Sequence, residues 1–351
     1  SFKFALVGAQ KGPQSDGFWA AFRFNPRVAV APGDLPAFLA DPANLIYMRR
    51  KSLERFSPDS LSVMEFQTRR DYEVAERIYD DWPLLGEEDT WAVRFNREFD
   101  MTNDRHLFIT APGPIPVYNG RMIHQYISNY APHEFWIGEE HIPRISEATL
   151  DQISRFRLGY RRIARPTDAR TLIAAVIPPR TICDTVAIVD GRQASLLTLY
   201  LCGVFNSLCL DFLLRQKIAA TVNMFYMYQL PVPRLTPGNP YFDAIVPRAA
   251  RLTCTRAEFA DLWREVMGSA WDESCGATDP AERQRLRDEI DALVAHLYGL
   301  SRADFDHILG TFPLVFPDTD EGWRKRESLL AEYDRWAGRL PNLEQHGGEK
   351  A

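Results

Sequence analysis

Residues 196–214 read LLTLYLCGVFNSLCLDFLL, and how this apolar run is used decides the architecture of the chain. Its length suits a bilayer span, yet Thr198, Asn206, Ser207 and Asp211 interrupt it and no second such segment exists. A buried core helix over Leu196–Leu214 is therefore expected, with no membrane partner. Arg215 and Lys217 stand at its end, where they would satisfy terminal carbonyls. The segment that follows, TVNMFYMYQL (Thr221–Leu230), alternates in the manner of a strand and closes at Pro231 and Pro233.

Around this run the chain reads as globular. Of its 351 residues, 46% are hydrophobic and 25% charged, which excludes a disordered chain and leaves room for two domains. The first ten residues, SFKFALVGAQ, do not read as a secretory signal. Cys183, Cys202, Cys209, Cys254 and Cys275 form no C-x-x-C pair, and two lie inside the apolar run, where a reduced thiol acts as a small hydrophobe. A cytoplasmic protein is expected.

Residues 1–250 alternate strand-like runs (FKFALVGAQ, FWAAFRF, RTLIAAVIPP, DTVAIVDGRQ) with Pro and Gly turns, the pattern of an α+β domain built on a mixed sheet. Beyond residue 245 the period becomes helical. Thr255 with Glu258 reads as a capping box before Phe259, Leu262, Trp263, Val266 and Met267. Asp279-Pro280 with Glu282 opens a second helix that Gly299 ends, and Ser301 with Asp304 starts a third that closes at Gly310. The expected division is an α+β domain over 1–245 and a small helical domain over 246–351, with a frayed NLEQHGGEKA tail.

Catalytic and metal motifs are sparse. VGAQKG has neither Walker nor G-x-G-x-x-G spacing, and no G-x-S-x-G occurs. His133, Glu139, Glu140 and His141 in HEFWIGEEH lack the i, i+4 spacing of a helical zinc pair. Asp100, Asn103, Asp104 and His106 crowd one short loop, where local turn bonding is the simpler reading. An enzyme built on Asp104, His106 and His124 is the alternative, and it requires those groups to meet within about one water of each other. No catalytic residue and no metal site is assigned.

The charge is unevenly placed. The net value is −6, but residues 251–351 hold 13 Lys/Arg against 20 Asp/Glu, which leaves residues 1–250 at +1. Arg144–Arg180 holds eight arginines and three acids, +5 in all. Its centre, GYRRIARPTDARTLIAAVI, reads either as a hairpin turning at Pro166 and Asp168 or as the end of a helix begun at Ser146. In the hairpin, Tyr160 and Arg162 share one face, and Arg161 and Arg165 the other. Guanidinium forks match phosphate oxygens and guanine edges, so such a patch suits a polyanion despite the acidic whole.

Seven blocks then fall in a familiar order: FKFALVGAQ, SLSVMEFQTRRDYEVAERIY, WAVRFNREFDMTNDRHLF, PVYNGRMIHQY, YRRIARPTDARTLIAAVIPP, FNSLCLDFLLRQKIAATVNMFYMYQLPVP and LRDEIDALVAHLYGLSRADFDHILGTFP. In this order the chain resembles the C-terminal target-recognition region of large bacterial adenine-specific DNA methyltransferases, the type IIG-like enzymes of restriction-modification and phage defence. The resemblance implies a DNA-binding target-recognition domain followed by a helical spacer. It implies double-stranded DNA and the catalytic methyltransferase domain of the same protein as partners. Methyl transfer in that family needs an Asn-Pro-Pro-Tyr type tetrapeptide and a Gly-rich turn for S-adenosylmethionine. Neither is in this sequence, whose one Pro-Pro is Pro178-Pro179. No cofactor is therefore expected on this chain, and S-adenosylmethionine is expected on the catalytic domain. The residues carried forward for DNA contact are Arg161, Arg162, Arg165 and Arg170, then Lys51, Arg69, Arg70, Arg215 and Lys217, with Asn103, His124 and Asn223 more remote. The alternative is a protein-interaction scaffold of a defence complex, in which the arginines would meet a partner's acids.

Overall fold

The computed structural model describes residues 7–8, 11–13, 15–22, 34–91, 93–190 and 194–341. FKFALVGAQ falls mostly outside these residues, as do the end of FWAAFRF, the Gly turn of DTVAIVDGRQ and the NLEQHGGEKA tail. The chain forms an α+β structure with helices, several small sheets and a helical C-terminal part, as expected. Its two compact units are residues 1–72 and 73–351. The expected boundary at residue 245 falls inside a helix of the second unit.

The first unit holds an antiparallel ribbon, β1 (Gly17–Ala20) with β2 (Ile46–Arg49), and the short helices α1 (Leu35–Ala40) and α2 (Arg50–Phe56). Phe56, Phe66 and Tyr72 pack as its small core, with Tyr72 edge to face on both phenylalanines, and the Tyr72 hydroxyl donates to Ser52. Helix α3 (Arg69–Asp81) begins in this unit's last residues.

The second unit contains two four-stranded sheets. One has the order β3 (Phe95–Asn96), β10 (Val186–Val189), β7 (Arg157–Arg161), β8 (Ala174–Ile177), all antiparallel. The other runs β4 (Phe108–Ile109), β6 (Phe135–Ile137), β5 (Ile115–Tyr118), β9 (Thr181–Ile182), its last pair parallel. Strands β8 and β10 are buried along their whole length, which is why AAVI and VAIV are apolar without alternation. A short helix α4 (Glu147–Ile153), capped by Ser146, precedes β7. The GYRRIAR segment is thus a hairpin arm and not a helix extension.

The apolar run corrects its own first reading. It forms two helices, α5 (Ser195–Phe205) and α6 (Leu208–Arg215), bent by 64°. Asn206 makes the break: its side-chain carbonyl accepts from Ala174 N at 3.1 Å, and its amide donates to Ala174 O and Cys202 O, each at 2.9 Å. Ser207 then caps α6 by accepting from Leu210 N. Residues 198–216 are all buried. No single helix among the described residues is long and apolar enough to cross a membrane; α5 and α6 together pass that test by length and composition, but bent.

A second correction concerns TVNMFYMYQL, which contains helix α7 (Met224–Tyr228) in place of a strand. The Tyr228 ring packs on Phe95 at 4.9 Å and its hydroxyl accepts from Phe95 N. Those tertiary contacts override a five-residue alternation that fits one helical turn equally well.

Helices α8 (Pro240–Thr253), α9 (Ala260–Met267), α10 (Pro280–Leu297), α11 (Arg302–Gly310) and α12 (Asp320–Trp336) complete the unit. Asp279 caps α10, the Ser301–Asp304 capping box opens α11, and Gly299 follows α10 at φ 63°. The expected capping box of Thr255 is absent: Arg256 stands at the cap position without a side-chain cap bond. Helix α12 was not anticipated; it lies on α10 through Leu329, Leu330 and Tyr333, whose ring stacks on His296 at 3.9 Å.

Helix α5 packs on β7 and β8 on one side and on α8 on the other. Gly203 permits the second contact, since a β-carbon there would lie 2.6 Å from the Ile245 methyl Cγ2. Gly203→Ala is expected to lower stability by about 1–3 kcal/mol through overpacking. Measured on an Ile245→Ala background, which lacks that methyl, the same substitution should cost less in urea denaturation, and no loss in the single variant would contradict this packing.

Candidate nucleic-acid interface

The candidate surface begins at β7, where each arginine has a different task. Arg157 is completely buried and paired with buried Glu98, and it also donates to Arg180 O. Burial lowers its guanidinium to about 9. Glu98 accepts further from Thr181 Oγ1 at 2.9 Å and Ile182 N at 2.8 Å, so this pair ties the sheet of β7 to that of β9. Tyr160 is buried, and the strand then emerges.

From Arg161 onward the side chains alternate. Arg162 faces inward: it donates to Asp184 O through its guanidinium, while its backbone N–H meets Thr185 O and its carbonyl accepts from Val222 N. Arg161 is half-buried, and Ile163 and Arg165 are exposed, Ile163 at 61%. Arg161 and Arg162 are equally half-buried, and what separates them is that the Arg162 guanidinium is bonded to Asp184 O. Ile163 bridges Thr221, and Arg165 N donates to Asp168 Oδ2 at 2.8 Å, closing the turn.

Beneath the turn lies Asp211 of α6, with no exposed surface. Its carboxylate accepts from Arg170 Nε at 2.8 Å, Arg215 Nε at 3.3 Å and the backbone N–H groups of Thr171 and Leu172. Arg215 also donates to Asp168 O and Ala169 O and lies 4.0 Å above the Phe312 ring. Arg170 reaches Asn206 O. Arg170 and Arg215 are thus held inside the protein, bracing the loop that carries Arg161 and Arg165. Burial pulls the Arg215 guanidinium down while Asp211 pushes it back up.

The other candidates are scattered. Lys217 donates to Gln229 Oε1 at 3.2 Å and lies 5.4 Å from the Tyr79 ring, and burial pushes its ammonium down to about 7. Lys51 is exposed on α2, and Arg69 and Arg70 open α3, in the unit of residues 1–72. Asn223 precedes α7 without a side-chain cap bond. The Asp100 loop follows the turn reading: Asp100 Oδ1 accepts from Thr102 N and Asn103 N at 2.9 Å, and Asp104 Oδ2 from Asp100 N at 2.8 Å. Those backbone bonds hold the Asp100 carboxyl below its usual range. Among the described residues no group of three or more His, Cys, Asp or Glu could hold a metal ion.

A second loop lies against Arg161. Gly120 donates to Thr185 Oγ1 at 2.9 Å, and a β-carbon on it would sit 3.1 Å from Thr185 O and 3.7 Å from Arg161 Cγ. The next residue, Arg121, has a largely exposed side chain paired with Glu134 at 2.6 Å. His124 stacks on Tyr130, itself 64% exposed, with centroids 4.7 Å apart. Sequence reasoning took only His124 from this loop. Arg121 and Tyr130 stand alone in the sequence, and the loop that carries them includes Tyr126 at φ 63°, a conformation no local pattern announces.

No protein-family model matches the sequence, and no curated protein matches it. Among solved structures, the chain is similar to the type IIL restriction-modification enzyme MmeI in complex with DNA, at 11% identity and a TM-score of 0.32. The match covers 73% of this chain and 35% of that one. A likeness of this degree assigns no function.

Asp211→Asn removes the charge that holds two guanidiniums in place, and breaking such a buried pair typically costs about 3–5 kcal/mol. The expected result is a lower urea midpoint together with faster amide exchange at Thr171 and Leu172. Unchanged exchange at those two amides would show that the carboxylate does not brace the loop.

Proposed function

We propose that this chain is a DNA target-recognition module that grips a duplex through the β7–β8 hairpin. The observation that carries the reading is the division of the arginines at this loop, with Arg162, Arg170 and Arg215 of α6 bonded within the protein while Arg165 is exposed and Arg161 half-buried. A guanidinium needs no proton exchange to stay charged and offers a planar fork to phosphate oxygens. Held on a braced loop, it meets the backbone with less ordering cost than a free lysine would. The seven ordered sequence blocks support the finer reading, in which the module lends sequence choice to an adenine-specific DNA methyltransferase of restriction-modification or phage defence. Lys51, Arg69 and Arg70 remain proposed as secondary contacts.

S-adenosylmethionine belongs, on this reading, to a catalytic methyltransferase domain. The sequence holds no G-x-G turn and no Asn-Pro-Pro-Tyr tetrapeptide. No residue of this chain is assigned to the cofactor or to methyl transfer.

Binding through phosphate releases counterions, so affinity should fall steeply with salt, with log K against log salt sloping by about −0.9 per phosphate neutralised. For about six contacts the slope is near −5. Fluorescence anisotropy on a labelled duplex should show this slope for the wild-type chain. Arg161→Ala with Arg165→Ala should make it shallower by about two and leave the unfolding free energy from urea denaturation within about 0.5 kcal/mol. A flat salt response, or no duplex binding at low salt, would end the proposal.

A further inference from the structure

Where strands β5 and β6 meet their loop, three side chains close a ring. Val117 stands opposite Phe135 in the register of the pair, which puts Asn119 just past the end of β5 and Glu134 just before the start of β6. The buried Asn119 holds both of its neighbours: its Oδ1 accepts from Arg121 N at 3.0 Å, and its Nδ2 donates to Glu134 Oε2 at 3.2 Å. Arg121 Nη1 completes the ring on Glu134 Oε1 at 2.6 Å. The Arg121 side chain is 75% exposed and that of Glu134 40%, so the charged pair faces solvent from a buried amide support.

This ring adjoins the end of β7. Thr185 links the two, its Oγ1 accepting from Gly120 N at 2.9 Å and its backbone carbonyl from Arg162 N at 3.0 Å. A β-carbon on Gly120 would lie 3.7 Å from Arg161 Cγ. Arg121 therefore follows directly on a neighbour of Arg161.

What the ring can bind follows from its charge. A phosphate favours an unopposed cation, and a carboxylate 2.6 Å from the guanidinium opposes it. A pair with no net charge suits a base edge better. Among the described residues Nη1 is the engaged nitrogen of Arg121, which leaves Nε and Nη2 as a side-on fork of donors, and the acceptor Glu134 stands beside that fork. Donors next to an acceptor complement a G·C pair in the major groove, where guanine presents O6 and N7 and cytosine presents the N4 amino group. An A·T pair sets its donor between two acceptors and does not match.

We infer that Arg121 and Glu134 read one G·C base pair, Arg121 donating to guanine O6 and N7 and Glu134 accepting from cytosine N4. The inference rests on the DNA-binding reading above and deepens it, naming a source of sequence choice beside the arginines proposed for phosphate. The ring fixes both side chains before binding, which lowers the ordering cost of the contact.

The test selects bound duplexes from a library with a randomised core, using the full chain, and then measures affinity for the enriched word over a salt series. Wild type should enrich a word with a fixed G·C pair. Arg121→Ala should lose the preference at that position, bind the word about tenfold more weakly and keep the wild-type salt slope. Glu134→Gln should relax the same position. An Arg121→Ala word identical to that of wild type overturns the inference, as does a slope flattened by about one, the mark of a phosphate contact. Wild-type binding with a steep salt slope but no enriched word overturns this inference and leaves the hairpin reading standing. Absence of binding at low salt overturns both. Should Arg121→Ala not unfold cooperatively in urea, 7-deazaguanine placed at each guanine of the word decides on wild type alone: weaker binding at one position supports the N7 contact, and equal affinity at every position overturns it.

Discussion

One carboxylate organises the candidate surface. Asp211 is wholly enclosed, and an enclosed carboxylate is tolerable only when donors surround it. It has four such donors: two guanidiniums from Arg170 and Arg215 and two backbone N–H groups from Thr171 and Leu172. Every one of these comes from the hairpin or from the end of α6. The geometry of the loop at Arg165–Arg170 is therefore set jointly by its own Asp168 turn and by the desolvation of a single acid.

That constraint separates two roles that arginine plays in the same short stretch. Arg157, Arg162, Arg170 and Arg215 are structural, each meeting a carboxylate or a carbonyl within the protein. Arg165 is exposed and Arg161 half-buried on a frame the others hold. The arrangement suits recognition of a regular polyanion, because a rigid loop keeps its charges at fixed spacing and so matches one repeat of phosphates better than others. Phe312 under Arg215 and Asp291 under Leu208 show that α10 and the segment after α11 belong to the same frame.

The α+β class and the helices opened by Asp279 and Ser301 were legible in the sequence, and the hairpin was one of the two geometries the arginine-rich segment allowed. Each rests on short-range physics: a cap side chain reaching an amide three residues on, or the two-residue period of a strand. The break at Asn206-Ser207 is legible in principle, since a capping serine stands before Leu-Cys-Leu-Asp, but the same residues equally fit polar interruptions of one long helix. Its decisive partner, the backbone of Ala174, lies 32 residues away. Helix α7 was missed for the same reason, its conformation being decided by contact with Phe95.

By itself, then, the amino-acid sequence determined which arginines are gathered, which segments are strands or helices wherever caps and periods are unambiguous, and that no methyl-transfer motif is present. Tertiary structure alone decided which of those arginines are held inside and which face outward. A guanidinium's role depends on whether a carboxylate or carbonyl is brought within reach of it, and Asp211, Asp184 and Glu98 arrive from segments 22 to 59 residues away, as the Arg162–Asp184, Arg170–Asp211 and Arg157–Glu98 contacts show. The local chain records the charge, and only the fold supplies the partner that either consumes it or leaves it for solvent and ligand.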